Sequence, residues 1–310
     1  MARFVPAVAA AVVYMLFDTE AALAWGPATH VRLACDLLLG VDALPAGLAA
    51  LLSKFAVDFI YGNIAADVVF VKRLSEVKQF CHHWTSGFDL LEAAQDDPGR
   101  AFAYGYLAHL ACDTVAHNKF VPRQVTVTGT TRSFGHFYWE LRADAGVEPL
   151  YWRRLRQTIC ARFPEHDELM SRQLDRGFLP FRINRRLFNR VNRLHSERWW
   201  YQTVRMWDRV TRWELSGQLL RHYRQEAVDC ALDVLNQGRD CSLLHVDPSG
   251  NLALRYTKDA RRYLRRMRRA GLLLPHVMAE MTHPHEPNGS TGPLAGQPYP
   301  SPLPQPMHIG

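Results

Sequence analysis

The chain has 310 residues, 48% of them hydrophobic and 22% charged. Those proportions exclude a disordered or fibrous chain and allow one large core or two small ones. The formal charge of +7 favours anionic partners such as an anionic membrane surface or nucleic acid, although any one basic run is also an ordinary solvated helix face.

From the N-terminus, Arg3 precedes an apolar stretch, Phe4 to Phe17, that is too short to span a bilayer comfortably. Ala22-Leu23-Ala24 then has the small-x-small form of a signal-peptidase site. Residues 1–24 therefore read as a signal peptide, and the protein as exported, periplasmic or secreted. The single basic residue, with Asp18 and Glu20 before the cut, keeps an uncleaved anchor or a buried first helix as the alternative. Cleavage after Ala24 makes Trp25 the mature N-terminus.

Helical periodicity dominates the rest of the chain. Residues 28–55 carry an apolar stripe with a break near Pro45. Asp67 lies in YGNIAADVVF, a carboxylate in an apolar, tightly turned segment. FCHHWT brings His82 and His83. Ala101 to Phe120 is strongly helical and is expected to stop before Pro122. The one β-like run, Val125-Thr126-Val127-Thr128, ends at Gly129. Phe134 to Gly146, Asn184 to Met206, Trp207 to Leu235 and Leu252 to Glu280 also read as helices. The expected fold is all-α, a single multi-helix domain over residues 25–282. Residues 283–310, above all Glu286 to Gly310, are rich in proline and glycine and read as a disordered tail. Six cysteines in an exported chain allow disulfides without choosing a pairing. Without a CxxC spacing, Cys81 and Cys112 read as small buried hydrophobes or a disulfide pair rather than thiolate ligands.

The chemistry lies in the first half. In AFAYGYLAHLACDTVAHNKF, His109, Asp113 and His117 interrupt an otherwise buried helix at steps of four. Each such step turns the direction by about 40°, so the three share one drifting stripe. A buried carboxylate between two imidazoles is costly unless a positive charge compensates it. A divalent metal would do so, and a hydrogen-bonded core cluster is the competing explanation. His136 and Glu140, again four apart, share a helix side, as an HxxxE pair at a metal or on the surface does. With His30, five residues after Trp25, six of the fourteen histidines fall within the first 140 residues, each in one of these constellations. His166, His195, His222, His245, His276, His283, His285 and His308 have no comparable spacing to carboxylates and read as structural or exposed.

The order Trp…His, Asp, His, HxxxD…H, HxxxE resembles the zinc-dependent phospholipase C family, within a superfamily shared with zinc-dependent single-strand nucleases. The resemblance runs from Trp25 to Glu140. It implies an all-helical enzyme whose mature N-terminal tryptophan binds metal through its amine and carbonyl, as Trp25 would after cleavage. It further implies three Zn2+ ions: one held by Trp25, His30 and Asp113, a second by Asp67, His82 and His109 with Asp113 bridging, a third by His117, His136 and Glu140. The DxxxH step and the Thr29-His30 pair are closer to the branch that includes glycosylphosphatidylinositol-specific phospholipases. His82 fits the histidine-aromatic segment better than His83, with one position of slippage allowed.

The implied activity is phosphodiester hydrolysis, of a phospholipid or another phosphodiester substrate. Clustered cations would neutralise phosphate oxygens and bring water toward ionisation at neutral pH, and Asp67 is the expected general base. A nuclease-like phosphodiesterase is the enzymatic alternative. Trp84, Tyr138 and Trp139 could then line a base-stacking or choline pocket, or simply be core. A non-catalytic, metal-stabilised helical binding protein is the alternative of another class. Sites of histidine and carboxylate without thiolate favour catalysis. The basic helix from Leu252 is a further candidate for docking an anionic membrane.

Overall fold

The computed structural model describes residues 25–68, 81–128, 132–161, 163–174, 185–186, 213 and 215–271. The signal segment, most of the expected helix 184–206 and the C-terminal tail lie outside the described residues, as do His195, His276, His283, His285 and His308.

The chain is all-α, and no strand occurs among the described residues. In order come α1 (Pro27–Leu39), α2 (Ala46–Lys54), α3 (Ala56–Ala65), α4 (Trp84–Ala93), α5 (Asp97–Val115), α6 (Val121–Thr128), α7 (Arg132–Ala145), α8 (Pro149–Cys160), α9 (Pro164–Leu174), α10 (Gly217–Gln237) and α11 (Asn251–Arg269). Short 3-10 turns at Val41–Ala43 and Ala66–Val68 and a π turn at Ala116–Phe120 join some of them.

α5 is the central helix because it is apolar on every side. From Ala101 to Val115 all but one residue is buried, Tyr104 being half-buried. The helix starts cleanly, with Asp96 accepting a hydrogen bond from Gly99 N at 2.8 Å and Pro98 in the first turn. α1, α3, α4 and α10 pack around it. The crossing with α3 is close because two glycines face it. A Cβ on Gly62 would fall on the Phe102 carbonyl, and one on Gly105 on the Phe59 carbonyl. That approach brings the exit of α3, with Asn63 and Asp67, against the polar stripe of α5.

Three expectations change. The helix after Val115 does not stop before Pro122. It loosens into the π turn and continues as α6, where proline in the first turn lacks a donor that the helix does not need. Val125 to Thr128 is therefore helical rather than extended. Val125 is buried, while Thr126 Oγ1 and Thr128 Oγ1 donate to the carbonyls four residues back at 2.7 Å, so packing and local bonding override the β-branched preference. Of the helix expected from Trp207 to Leu235, residues 207–212 lie outside the described residues. Trp213, Leu215 and Ser216 are not helical, and the described helix starts at Gly217, where Ser216 Oγ accepts from Gln218 N at 3.2 Å. α3, α4, α8 and α9 were not among the expected helices. No disulfide joins any of the six cysteines, and Cys81 and Cys112 are buried in the core. Among the described residues no single helix is long and apolar enough to cross a membrane.

Candidate metal centre

Asp113 lies near the C-terminal end of α5, wholly buried, with imidazoles on several sides. His30 Nε2 of α1 is 3.2 Å from its Oδ1. His109 Nε2 and His82 Nε2 lie 3.2 and 3.4 Å from its Oδ2. Asp67, in the 3-10 turn after α3, places Oδ1 3.4 Å from His82 Nε2 and 3.9 Å from His109 Nε2. His117 rides on the π turn, its Nδ1 3.9 Å from Asp113 Oδ2. Its ring centroid is 5.3 Å from that of His136, whose Nε2 lies 2.9 Å from Glu140 Oε1. His30 and His109 stack with centroids 4.0 Å apart. The sequence-predicted residues thus converge on one buried locus.

Several of them are held from behind. His109 Nδ1 donates to the Asn63 carbonyl at 2.8 Å, and His117 Nδ1 to the Pro248 carbonyl at 2.6 Å. A carbonyl only accepts, so in both rings Nδ1 carries a proton and Nε2 is the nitrogen left to bind a metal once it is unprotonated. Metal-binding histidines are oriented in this way. His82 is fixed by its neighbours: Tyr106 OH donates to the Cys81 carbonyl, and Trp84 Nε1 donates to the Val246 carbonyl at 2.9 Å. His83 is exposed, so the buried member of the pair is His82.

Trp25 is fully buried beside this group. Its ring stacks on Phe120 at 4.9 Å and its Nε1 donates to the Cys112 carbonyl at 3.1 Å. Asp144 of α7, which sequence reasoning did not single out, caps α1 from outside. Its carboxylate accepts from Ala28 N at 3.2 Å, Thr29 N at 2.9 Å and Thr29 Oγ1 at 2.6 Å, anchoring the turn that carries His30. Gly250 was missed as well. Its φ of 59° and lack of a Cβ let the loop after α10 lie on the His117 backbone, which sets Pro248 in place. The turn residues Asp-Pro-Ser-Gly were readable as a turn, but their pairing with a histidine 131 positions away was not.

The electrostatics point to a cation. Burial alone would raise the Asp113 carboxyl, yet His109, His117 and His30 outweigh it and hold it well below the ordinary carboxylate range. Asp67 is likewise lowered, His109 and His82 outweighing its burial. Burial disfavours charge on His109, but Asp113 and Asp67 reverse this and lift it to about 9. For His117 burial prevails and pushes it down to about 4. His30 Nε2, His117 Nε2, Asp67 Oδ1 and both Asp113 oxygens are buried without a hydrogen-bond partner. Each unsatisfied buried polar atom costs about 1–3 kcal/mol, and a divalent cation among them would satisfy the set together.

The donors fit such an ion in two overlapping groups, His30 with His109 and Asp113, and Asp67 with His82 and His109. Within each group the ligand atoms all lie within 4.8 Å of one another. His109 belongs to both, a sharing the sequence did not reveal. His117, His136 and Glu140 form a looser set beside them. Elsewhere, His166 is a core residue, its Nε2 2.7 Å from Asp58 Oδ1 and its ring stacked on Phe102, while His222 and His245 are exposed. Trp139 is wholly buried, Trp84 and Tyr138 nearly so, which makes all three core.

An all-helical fold whose central helix presents a buried His-Asp-His stripe to further histidines and a carboxylate defines a metal-dependent class of protein. Residues 29–204 match the model of the family described as zinc dependent phospholipase C. The chain belongs to that family. Comparison with curated proteins and with solved structures finds no match.

Proposed function

We propose that the protein is an exported phosphodiester hydrolase that cleaves phospholipid headgroup esters with zinc held at the Asp113 locus. The observation that carries this reading is the pair of imidazoles, His109 and His117, whose Nδ1 atoms are bound to carbonyls, while His109 Nε2 lies 3.2 Å from Asp113 and His117 Nε2 is buried without a hydrogen-bond partner. Trp25, His30 and Asp113 would hold one ion; Asp67, His82 and His109 a second; His117, His136 and Glu140 a third, with Asp113 between the first two. Bound zinc supplies Lewis-acid activation of water and neutralises charge on the phosphate oxygens.

The protein's own groups do the rest. Asp67 Oδ1 lies inside the cluster without a hydrogen-bond partner, so it can take a proton from the attacking water. Asp113 is held ionised by its neighbours and keeps a fixed negative charge between the imidazoles. Asn63, Pro248 and Asp144 hold His109, His117 and the His30 turn in fixed orientation, so little reorganisation is left for the reaction. The surrounding core, from Trp25 and Phe120 to Trp139, keeps bulk water away.

The test is hydrolysis of a soluble short-chain phosphatidylcholine by zinc-loaded protein, with single-stranded DNA offered in parallel. Zinc-dependent headgroup release, abolished by chelation and restored by zinc, is the expected result. Cleavage of DNA with no lipid turnover would replace the lipid reading by a nucleolytic one, and turnover of neither would remove the enzymatic reading.

A further inference from the structure

α11 differs from every helix around it. Its nineteen residues contain eight basic side chains against one acidic one, a net charge equal to that of the whole chain. Leu254, Thr257 and Ala260 form its buried face, which packs on α6 and the π turn. Arg255, Lys258, Arg262, Arg265, Arg266 and Arg269 are exposed.

The outward face is not uniformly polar. Leu252, Tyr256 and Tyr263 are 60%, 64% and 47% exposed, three of the few large hydrophobic residues left in water among the described residues. At 3.6 residues per turn they fall within about 40° of one another, a single stripe between the buried face and the arginines. A merely solvated helix has no use for such a stripe, and phosphate contacts to a nucleic acid need only the charge. An apolar and tyrosine edge bordered by arginines matches the boundary between lipid headgroups and acyl chains.

The helix also begins beside the candidate centre. Gly250, immediately before α11, lies against the His117 backbone, and the Pro248 carbonyl accepts from His117 Nδ1. We propose that α11 is an interfacial docking helix that lies on an anionic phospholipid bilayer, with Leu252, Tyr256 and Tyr263 at the headgroup boundary and the arginines on lipid phosphates. That this bilayer also carries the substrate rests on the phospholipase reading; the docking itself does not.

The experiment is cosedimentation of the zinc-loaded chain from Trp25 onward with vesicles of phosphatidylcholine alone or mixed with phosphatidylserine, at low and high salt. Binding is expected only to the mixed vesicles. The quadruple variant Arg262→Gln, Arg265→Gln, Arg266→Gln, Arg269→Gln should bind them roughly a thousandfold more weakly at low salt. Leu252→Ser with Tyr256→Ser and Tyr263→Ser should abolish the binding that survives high salt. All seven positions face solvent, so both variants should keep the parent's helical circular dichroism and its rate on soluble short-chain substrate. Parental vesicle binding by the quadruple variant overturns the proposal. So does an unchanged triple variant whose binding is matched by single-stranded DNA, which would make the surface one for nucleic acid. If the parent turns over no phospholipid while the variants lose vesicle binding, docking stands and the substrate reading falls.

Discussion

Replacing Gly250 with alanine perturbs the candidate centre without altering any residue assigned to metal. Its φ is 59°, and an added Cβ would fall on the His117 Cβ and 2.6 Å from the His117 carbonyl oxygen. Neither neighbour is the flexible end of a side chain, so the loop itself must move. A side chain in a positive-φ conformation costs about 1–3 kcal/mol, and forcing it into packed space costs about 1–3 kcal/mol more. Withdrawal of the loop also weakens the 2.6 Å bond from His117 Nδ1 to the Pro248 carbonyl, worth about 0.5–1.5 kcal/mol. The expected loss is therefore about 2.5–7.5 kcal/mol. Gly238→Ala is the internal control: its φ is 58° but nothing lies within 4 Å of the added atom, so only the backbone cost of about 1–3 kcal/mol applies. Urea unfolding of zinc-loaded protein measures the difference, and metal analysis measures its consequence. Gly250→Ala should be the less stable of the two and should retain less zinc than Gly238→Ala. Equal destabilisation with equal zinc would refute the role assigned to the loop.

Asp67→Asn should lower turnover by about 10²–10⁴-fold while much of the zinc remains, and hydrolysis at the parental rate would end the general-base assignment. Asp144→Ala removes the acceptor for Ala28 N, Thr29 N and Thr29 Oγ1. It should cost about 1–2 kcal/mol as a lost helix cap and weaken zinc binding about 10–100-fold; titration calorimetry indistinguishable from the parent would remove its positioning role. Metal-free protein should be most stable near pH 6.5. His109 is raised to about 9, so its contribution is complete below the unfolded value of about 6.5 and lost as pH rises toward 9. His117 is lowered to about 4, so its contribution is lost as pH falls from about 6.5 to 4. Thermal melts of chelated protein across that range check both arms, and a flat profile would contradict them. Zinc-loaded protein, whose imidazoles are engaged as ligands, should show the upper arm weakened.

The stripe of His109, Asp113 and His117 was readable because a helix buried on all sides tolerates polar residues only for a reason, and steps of four align them. Asp67 was readable as a carboxylate in an apolar run, and the His136–Glu140 pair by its four-residue spacing. Resemblance favours His82 over His83, with a slip of one position allowed. What the sequence did not show is that Tyr106 and Trp84 fix that segment through carbonyls far along the chain, with His82 buried and His83 exposed. The π turn was hidden by Pro122, whose usual meaning is a stop, and by the β-branched run behind it. Asp144 and the Pro248–Gly250 loop act on α1 and His117 across 115 and 131 residues; only tertiary packing brings them there. The amphipathic edge of α11 was legible as charge, but which of its apolar residues stay in water was decided by the face that α6 covers.

The most direct test of the central claim is zinc content per chain, measured by elemental analysis on natively exported protein whose N-terminus is read by intact mass. A chain beginning at Trp25 with about three zinc ions is expected, with a clear loss of zinc in Asp113→Asn, which removes one charge from the shared carboxylate. The same mature chain holding no tightly bound metal, or holding it undiminished without the Asp113 carboxylate, would contradict the metal centre and the hydrolytic function built on it.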